Sequence, residues 1–191
     1  IKNKIQLFKI ASSEITNLSL IKKIAMQKKP IFVSTGMSDL DDIKRALKVT
    51  KSQKNNKVIL MQCSSLYPLD DEKVNLNVLD TFKKKFKCIL GFSDHTLGCD
   101  AAIVALGKGS VVFEKHITLN KKNPGPDHHY AMNPPEFKAY VRKLKNCYKM
   151  LGDSEKKMLD DEKKIARRDG LYFKNFKRQN TLIKRDDIYI K

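Results

Sequence analysis

Five short apolar runs, each followed by an amphipathic stretch, constrain the fold of this 191-residue chain more than any other feature. The runs are IQLFKI (5–10), PIFVS (30–34), KVILMQC (57–63), KCILGF (87–92) and SVVFEKH (110–116). The stretches between them carry helical periodicity. From 15 to 27, Ile21, Ile24 and Ala25 share a face, and from 39 to 49 so do Leu40, Ile43 and Leu47. Ser38 reads as an N-cap for the second of these helices, with Asp41 at its N3 position. Further helices are expected over 74–86, 97–107 and 134–151. Nearly continuous apolar strands alternating with helices imply parallel strands buried on both faces.

Two architectures answer to that pattern, an open doubly wound sheet and a (β/α)8 barrel. An open sheet gathers its ligands at one switch point. A barrel collects residues from the C-terminal ends of most strands at a single mouth. Here every run ends in polar or reactive groups: KIASSE, STGM, QCSSLYP, GFSDH and EKH. The pattern therefore predicts an α/β fold that is a partial (β/α)8 TIM barrel, five of its eight strand–helix units. After Gly152 the texture changes, so 1–151 is assigned to the barrel, 152–168 to a charged linker and 169–191 to the start of a second small domain. The chain lacks an initiating methionine, and Ile1 is not expected to be a natural start.

The net charge is +18, which raises the question of nucleic acid. The lysines are spread over KKP, KSQKNNK, FKKKFK, NKK and EKK rather than gathered in one arm. That distribution reads as solvated helix surface, and a nucleic-acid partner is not expected. No apolar run approaches the roughly 18 to 20 residues that span a bilayer, and no secretory leader is visible at the start. Cys63, Cys88, Cys99 and Cys147 have no CxxC spacing and read as free thiols in a reducing, cytoplasmic setting.

His95 and His116 end adjacent predicted strands, which stand side by side in a barrel. Two imidazoles so placed can share a divalent metal with open positions for water and substrate. A histidine at a strand end also serves as a hydrogen-bonded structural residue, and both readings stand at this point. Lys9, Ser12, Ser34 and Ser93 fall at strand ends too, where an ammonium and several hydroxyls suit a phosphate or carboxylate. Glu14, Tyr67 and Asp127 lie in loops that follow strands, Asp127 within NPGPDHH. His128 and His129 are expected to be solvated.

Taken in order, KIASSEITNLSLIKKIA, VSTGM, CSSLYP, GFSDHTLG, EKHITL and GPDH closely resemble the sialic acid (N-acetylneuraminate) synthase family, from about Phe8 to Arg168. The resemblance implies a (β/α)8 barrel followed by an antifreeze-like (SAF) domain, to whose start ARRDGLYFKNFKRQNTLIKRDDI is similar. It implies an enzyme that condenses phosphoenolpyruvate with an N-acetylated aldose, such as N-acetylmannosamine, giving a nonulosonic acid and phosphate. It further implies that His95 and His116 bind manganese or magnesium and take part in catalysis with Glu14. Lys9, Ser12, Ser34 and Ser93 would hold phosphoenolpyruvate, and Glu14, Tyr67 and Asp127 would face the sugar. Ser65, another substrate-binding candidate, stands where the sialic acid branch often has Asn, and Ser13 replaces the usual glycine after KIAS. GPDH sets the chain apart from the pseudaminic branch. Family members are homodimers. The first barrel strands are missing from the pattern, so the chain reads as part of such an enzyme, with an inactive truncated remnant as the alternative.

Overall fold

The computed structural model describes residues 5–166, 170–174 and 179–190. The chain divides into two compact units, Ile1–Gly152 and Asp153–Lys191.

The first unit holds five strands: β1 (Phe8–Ile10), β2 (Ile31–Ser34), β3 (Val58–Gln62), β4 (Ile89–Asp94) and β5 (Val112–Lys115). All neighbours pair in parallel, and the order across the sheet is the order along the chain. That sequential order separates barrel topology from a doubly wound sheet, whose order reverses at a switch point. The strands are those of a partial (β/α) barrel, with β1 and β5 at its open edges. All five residues of β3 are buried, as a central strand covered on both faces requires.

Helices α1 (Leu18–Ala25), α2 (Leu40–Ser52), α3 (Val78–Lys85), α4 (Asp100–Gly107) and α5 (Pro134–Leu151) follow the five strands in turn. Each inserts its apolar stripe against the sheet: Ile21 and Ala25 from α1, Ile43 and Ala46 from α2, Leu79 and Phe82 from α3. These meet Ile10, Ile31, Val33, Leu60 and Phe92 in one continuous core. Burying each large side chain contributes about 1.5–3 kcal/mol.

The cap of α2 is not Ser38. Asp39 caps the helix, accepting from the Asp41 and Asp42 amides at 2.8 Å, while Asp42 returns a bond to the Asp39 amide at 3.1 Å. The Ser38 hydroxyl is already committed to the Thr35 carbonyl at 2.7 Å. A carboxylate left free at the next position therefore takes the cap, shifted by one residue. At α5 the corresponding box is Asn133 with Glu136, with Pro134 and Pro135 between them at the first two helical positions.

In the second unit a short charged helix, α6 (Asp160–Ile165), precedes an antiparallel pair, β6 (Leu171–Phe173) and β7 (Ile188–Ile190). Tyr172 and Tyr189 face each other across it, ring centres 5.6 Å apart. The resemblance of this stretch to an antifreeze-like domain falls partly on 167–169 and 175–178, which lie outside the described residues. Among the described residues no helix is long and apolar enough to cross a membrane.

Candidate active site

Strand alternation decides which motif residues share a face. Side chains at i and i+2 point the same way, so Ser93 goes with His95, and Glu114 with His116. The register sets Ser93 directly opposite Glu114 and Asp94 opposite Lys115. Ser93 Oγ donates to Glu114 Oε2 at 2.9 Å. Lys9, on the far edge strand β1, reaches the same carboxylate, its Nζ 2.8 Å from Glu114 Oε2 and 3.0 Å from Oε1. Side chains of the first and last strands of a five-stranded sheet can meet only if the sheet curves, so this ion pair crosses the concave face at the C-terminal ends of the strands.

The two histidines stand beside it, ring centres 5.6 Å apart. Tyr67, from the loop after β3, lies against both, 4.2 Å from His95 and 5.6 Å from His116. The hydrogen-bond partners of each ring set its tautomer. His95 Nδ1 lies 2.7 Å from the Ser64 carbonyl, which can only accept, so Nδ1 carries the proton. The Ser93 hydroxyl, 3.3 Å from His95 Nε2, spends its proton on Glu114. On the other side Tyr130 donates to Asp127 Oδ1 at 2.7 Å, so its oxygen can only accept from His116 Nδ1, 3.3 Å away. Asp127 Oδ2 lies 3.7 Å from the same nitrogen. Both rings thus leave Nε2 with a free lone pair, each oriented through Nδ1 by a fixed partner. This is the arrangement of a metal-binding imidazole.

Burial pushes the His95 pKa down, with the bond to the Ser64 carbonyl opposing it. The ring therefore stays neutral in neutral solution, as a ligand must. Burial alone would raise the Glu114 carboxyl, but the Lys9 ammonium and the Ser93 hydroxyl outweigh it and hold the group below the usual carboxylate range. Burial and the Asp127 bond push the Tyr130 phenol far up, so it remains a protonated donor.

A second cluster surrounds Gly36, in the loop after β2. The Gly36 amide donates to Ser12 Oγ at 3.1 Å, and Ser12 Oγ lies 3.1 Å from Cys63 Sγ. A side chain at position 36 would fall against Ser65 Oγ, with its Cβ 2.8 Å from Ser12 Oγ and 2.9 Å from Cys63 Sγ. Any larger residue there would have to push these three side chains aside. Ser65 Oγ is buried near the Tyr67 phenol but in no hydrogen bond of ordinary geometry. Ser34 Oγ, on β2, is buried without a partner among the described residues. An orphaned buried hydroxyl is costly, and a bound oxyanion or an ordered water would relieve it.

The structure therefore brings Lys9, Tyr67, Ser93, His95, His116 and Asp127 into one contact network, and Ser12 and Ser65 into a neighbouring one. Among the described residues, Glu14 makes no hydrogen bond or ion pair with the two histidines. It lies in a 3-10 turn after β1 and accepts from Asn17 Nδ2, the cap of α1, at 2.9 Å. His128 is not solvated as expected: it is half-buried, its Nδ1 2.7 Å from Thr118 Oγ1, because the loop folds back over that buried threonine. His129 is exposed and meets the Tyr130 ring edge-on. Glu114, Tyr130 and Gly36 were not among the sequence candidates. The two-residue spacing of EKH was the available signal for Glu114. Nothing local marked Tyr130.

A curved parallel sheet that presents its polar residues from the C-terminal strand ends defines a barrel-type enzyme site. Residues 1–156 match the NeuB family, and the chain belongs to it, the family of the sialic acid synthases. An uncharacterized protein of Methanocaldococcus jannaschii is 41% identical over 93% of this chain and 53% of its own length. The N,N'-diacetyllegionaminic acid synthase of Legionella pneumophila is 39% identical over 81% of this chain and 44% of its own. Among solved structures, the N-acetylneuraminic acid synthetase of Leptospira borgpetersenii, in complex with citrate, superposes with a TM-score of 0.79 at 28% identity. The match covers 85% of this chain and 56% of that one. The chain thus spans about half the length of the relatives it matches.

Proposed function

We propose that this chain carries the catalytic mouth of a nonulosonic acid synthase, which joins phosphoenolpyruvate to an N-acetylated aldose and releases phosphate. The observation that carries the reading is the meeting of Lys9, Ser93, Glu114, His95 and His116 on the concave face, from three different strands and the loops after two of them. The names of the relatives support the reaction class. They do not select the sugar, for which N-acetylmannosamine is the first candidate to assay.

The anionic substrate would take the Lys9 side of the mouth. Its phosphate and carboxylate oxygens would accept from Lys9, Ser12, Ser34 and, once its hydroxyl turns from Glu114, Ser93, and so give the unpartnered Ser34 hydroxyl an acceptor. Drawing Lys9 toward the phosphate takes from Glu114 the charge that holds its carboxyl low. Burial then pushes that carboxyl up, and Glu114 becomes better able to hold a proton beside the reacting atoms. Tyr67 and Asp127 would face the sugar, the ring of Tyr67 excluding water from His95. A catalytic part for Glu14 requires its carboxylate to turn from Asn17 toward the sugar.

No group of three or more His, Cys, Asp or Glu side chains stands at metal-holding spacing among the described residues, so a bound ion would rest on two imidazoles. With ring centres 5.6 Å apart, the two imidazoles are near enough to share a divalent ion such as manganese or magnesium, which would polarise the carbonyl of the open-chain sugar as a Lewis acid.

The test is phosphate release from phosphoenolpyruvate by the 191-residue chain, with N-acetylmannosamine and Mn2+ present. Release is expected to require both the sugar and the ion, and His95→Ala to bring it to background. Undiminished release by the His95→Ala chain would refute the metal assignment.

A further inference from the structure

Asp94 and Lys115 sit inside the two histidine motifs yet face away from the mouth. Both are charged and buried, their side chains 0% and 4% exposed, and Lys115 Nζ lies 2.9 Å from Asp94 Oδ2. Tyr140, from α5, donates to the same oxygen at 3.2 Å. The other carboxylate oxygen accepts from the Thr96 amide at 2.9 Å and the Thr96 hydroxyl at 2.8 Å. Lys115 Nζ also donates to the Thr96 carbonyl at 2.5 Å, and lies 5.6 Å from the centre of the Tyr140 ring. A carboxylate with four donors and an ammonium with two acceptors form a satisfied network, the condition under which buried charge is tolerated.

Stability alone does not explain such a pair, because apolar residues of similar volume usually serve as well or better. What a satisfied pair adds is fixed geometry, and its location shows what is fixed. Asp94↔Lys115 is the last pair in the β4–β5 ladder. His95 and His116 each follow one residue later, where backbone pairing between the strands has ended. Asp94 clamps the backbone on both sides of His95 through Thr96, and Lys115 ties the carbonyl after His95 to the strand that carries His116.

We propose that the Asp94–Lys115 pair is a positioning strut: it holds the strand ends beyond the ladder so that His95 and His116 present their Nε2 atoms as one two-nitrogen site. The proposal rests on the reading above that the two imidazoles act together.

Cu2+ is the probe, because its electron paramagnetic resonance spectrum counts bound imidazole nitrogens without any turnover. The wild-type chain is expected to show a two-nitrogen spectrum that His116→Ala reduces to one nitrogen. Asp94→Asn leaves a buried ammonium unpaired and can unfold the chain, so the deciding variant is Asp94→Asn with Lys115→Met, which removes both charges at nearly constant volume. With its circular dichroism spectrum unchanged, that variant is expected to show a one-nitrogen spectrum and Cu2+ binding weaker by about 10-fold or more. A folded double variant that keeps the two-nitrogen spectrum and wild-type affinity would overturn the strut alone. A one-nitrogen spectrum from the wild type, or two nitrogens surviving His116→Ala, would overturn the paired-histidine reading and the strut with it.

Discussion

At the scale of single residues, the two histidines were legible because they end consecutive apolar runs, and in a parallel sheet consecutive strands are neighbours. Glu114 was equally exposed to reading, since a two-residue step from His116 puts it on the same face. What hid it was the ordinary look of a glutamate beside a lysine. Two outcomes belong at this scale. Burial lowers the pKa of His95 from its ordinary 6.5, so between the folded value and 6.5 the unfolded chain binds a proton that the folded chain does not. The stability this supplies is complete above 6.5 and is lost as the pH falls through the folded value. Urea midpoints of the metal-free chain at about pH 7.5 and about pH 5 are therefore expected to differ less in His95→Gln than in the wild type. Gly36→Ala is expected to cost about 1–3 kcal/mol by urea titration, because the new methyl must displace Ser12, Cys63 and Ser65. It should also weaken phosphoenolpyruvate binding measured by calorimetry.

At the scale of elements, existence and order were easier to read than boundaries. The fourth apolar run was expected to stop at Phe92, but β4 continues through Ser93 and Asp94. The polar residues remain in the strand because the neighbouring strand supplies partners, Glu114 for Ser93 and Lys115 for Asp94. At its start, α2 turns on which of two adjacent oxygen-bearing side chains is free. Ser38 is used by the Thr35 carbonyl, a contact set by how the loop closes and invisible in a residue pattern. Asp39→Ala is accordingly expected to destabilise the first unit by about 1 kcal/mol, and Ser38→Ala to leave the helix cap intact. Chemical denaturation of the two variants side by side checks the difference. A larger loss in Ser38→Ala would return the cap to Ser38.

At the scale of the whole molecule, the continuous apolar core lies entirely within the first unit, running from Ile10 to Leu144 among its buried residues. A chain ending at Gly152 is expected to melt cooperatively within a few degrees of the full chain. A collapse of that transition would mean that the core of the first unit does not by itself carry its stability. The sheet leaves two strand edges, β1 and β5, without a neighbour among the described residues. Such edges are templates for further pairing. Among the described residues, the lysines behind the +18 charge are largely exposed and sit mostly on the helices and the turns around them.

The sequence by itself determined the class of fold and the side of the sheet on which chemistry gathers. Both follow from local rules, apolar runs at strand length, helical periodicity between them, and polar residues where each strand stops. Only the tertiary structure decided how those residues pair. The curvature that lets Lys9 reach Glu114, the loop that lays Tyr67 on both imidazoles, and the phenol of Tyr130 that fixes the His116 tautomer all join residues that are not neighbours in the chain. Periodicity records which face a side chain takes. It cannot record the partner it meets, because that is set by strand order, register and the bend of the sheet.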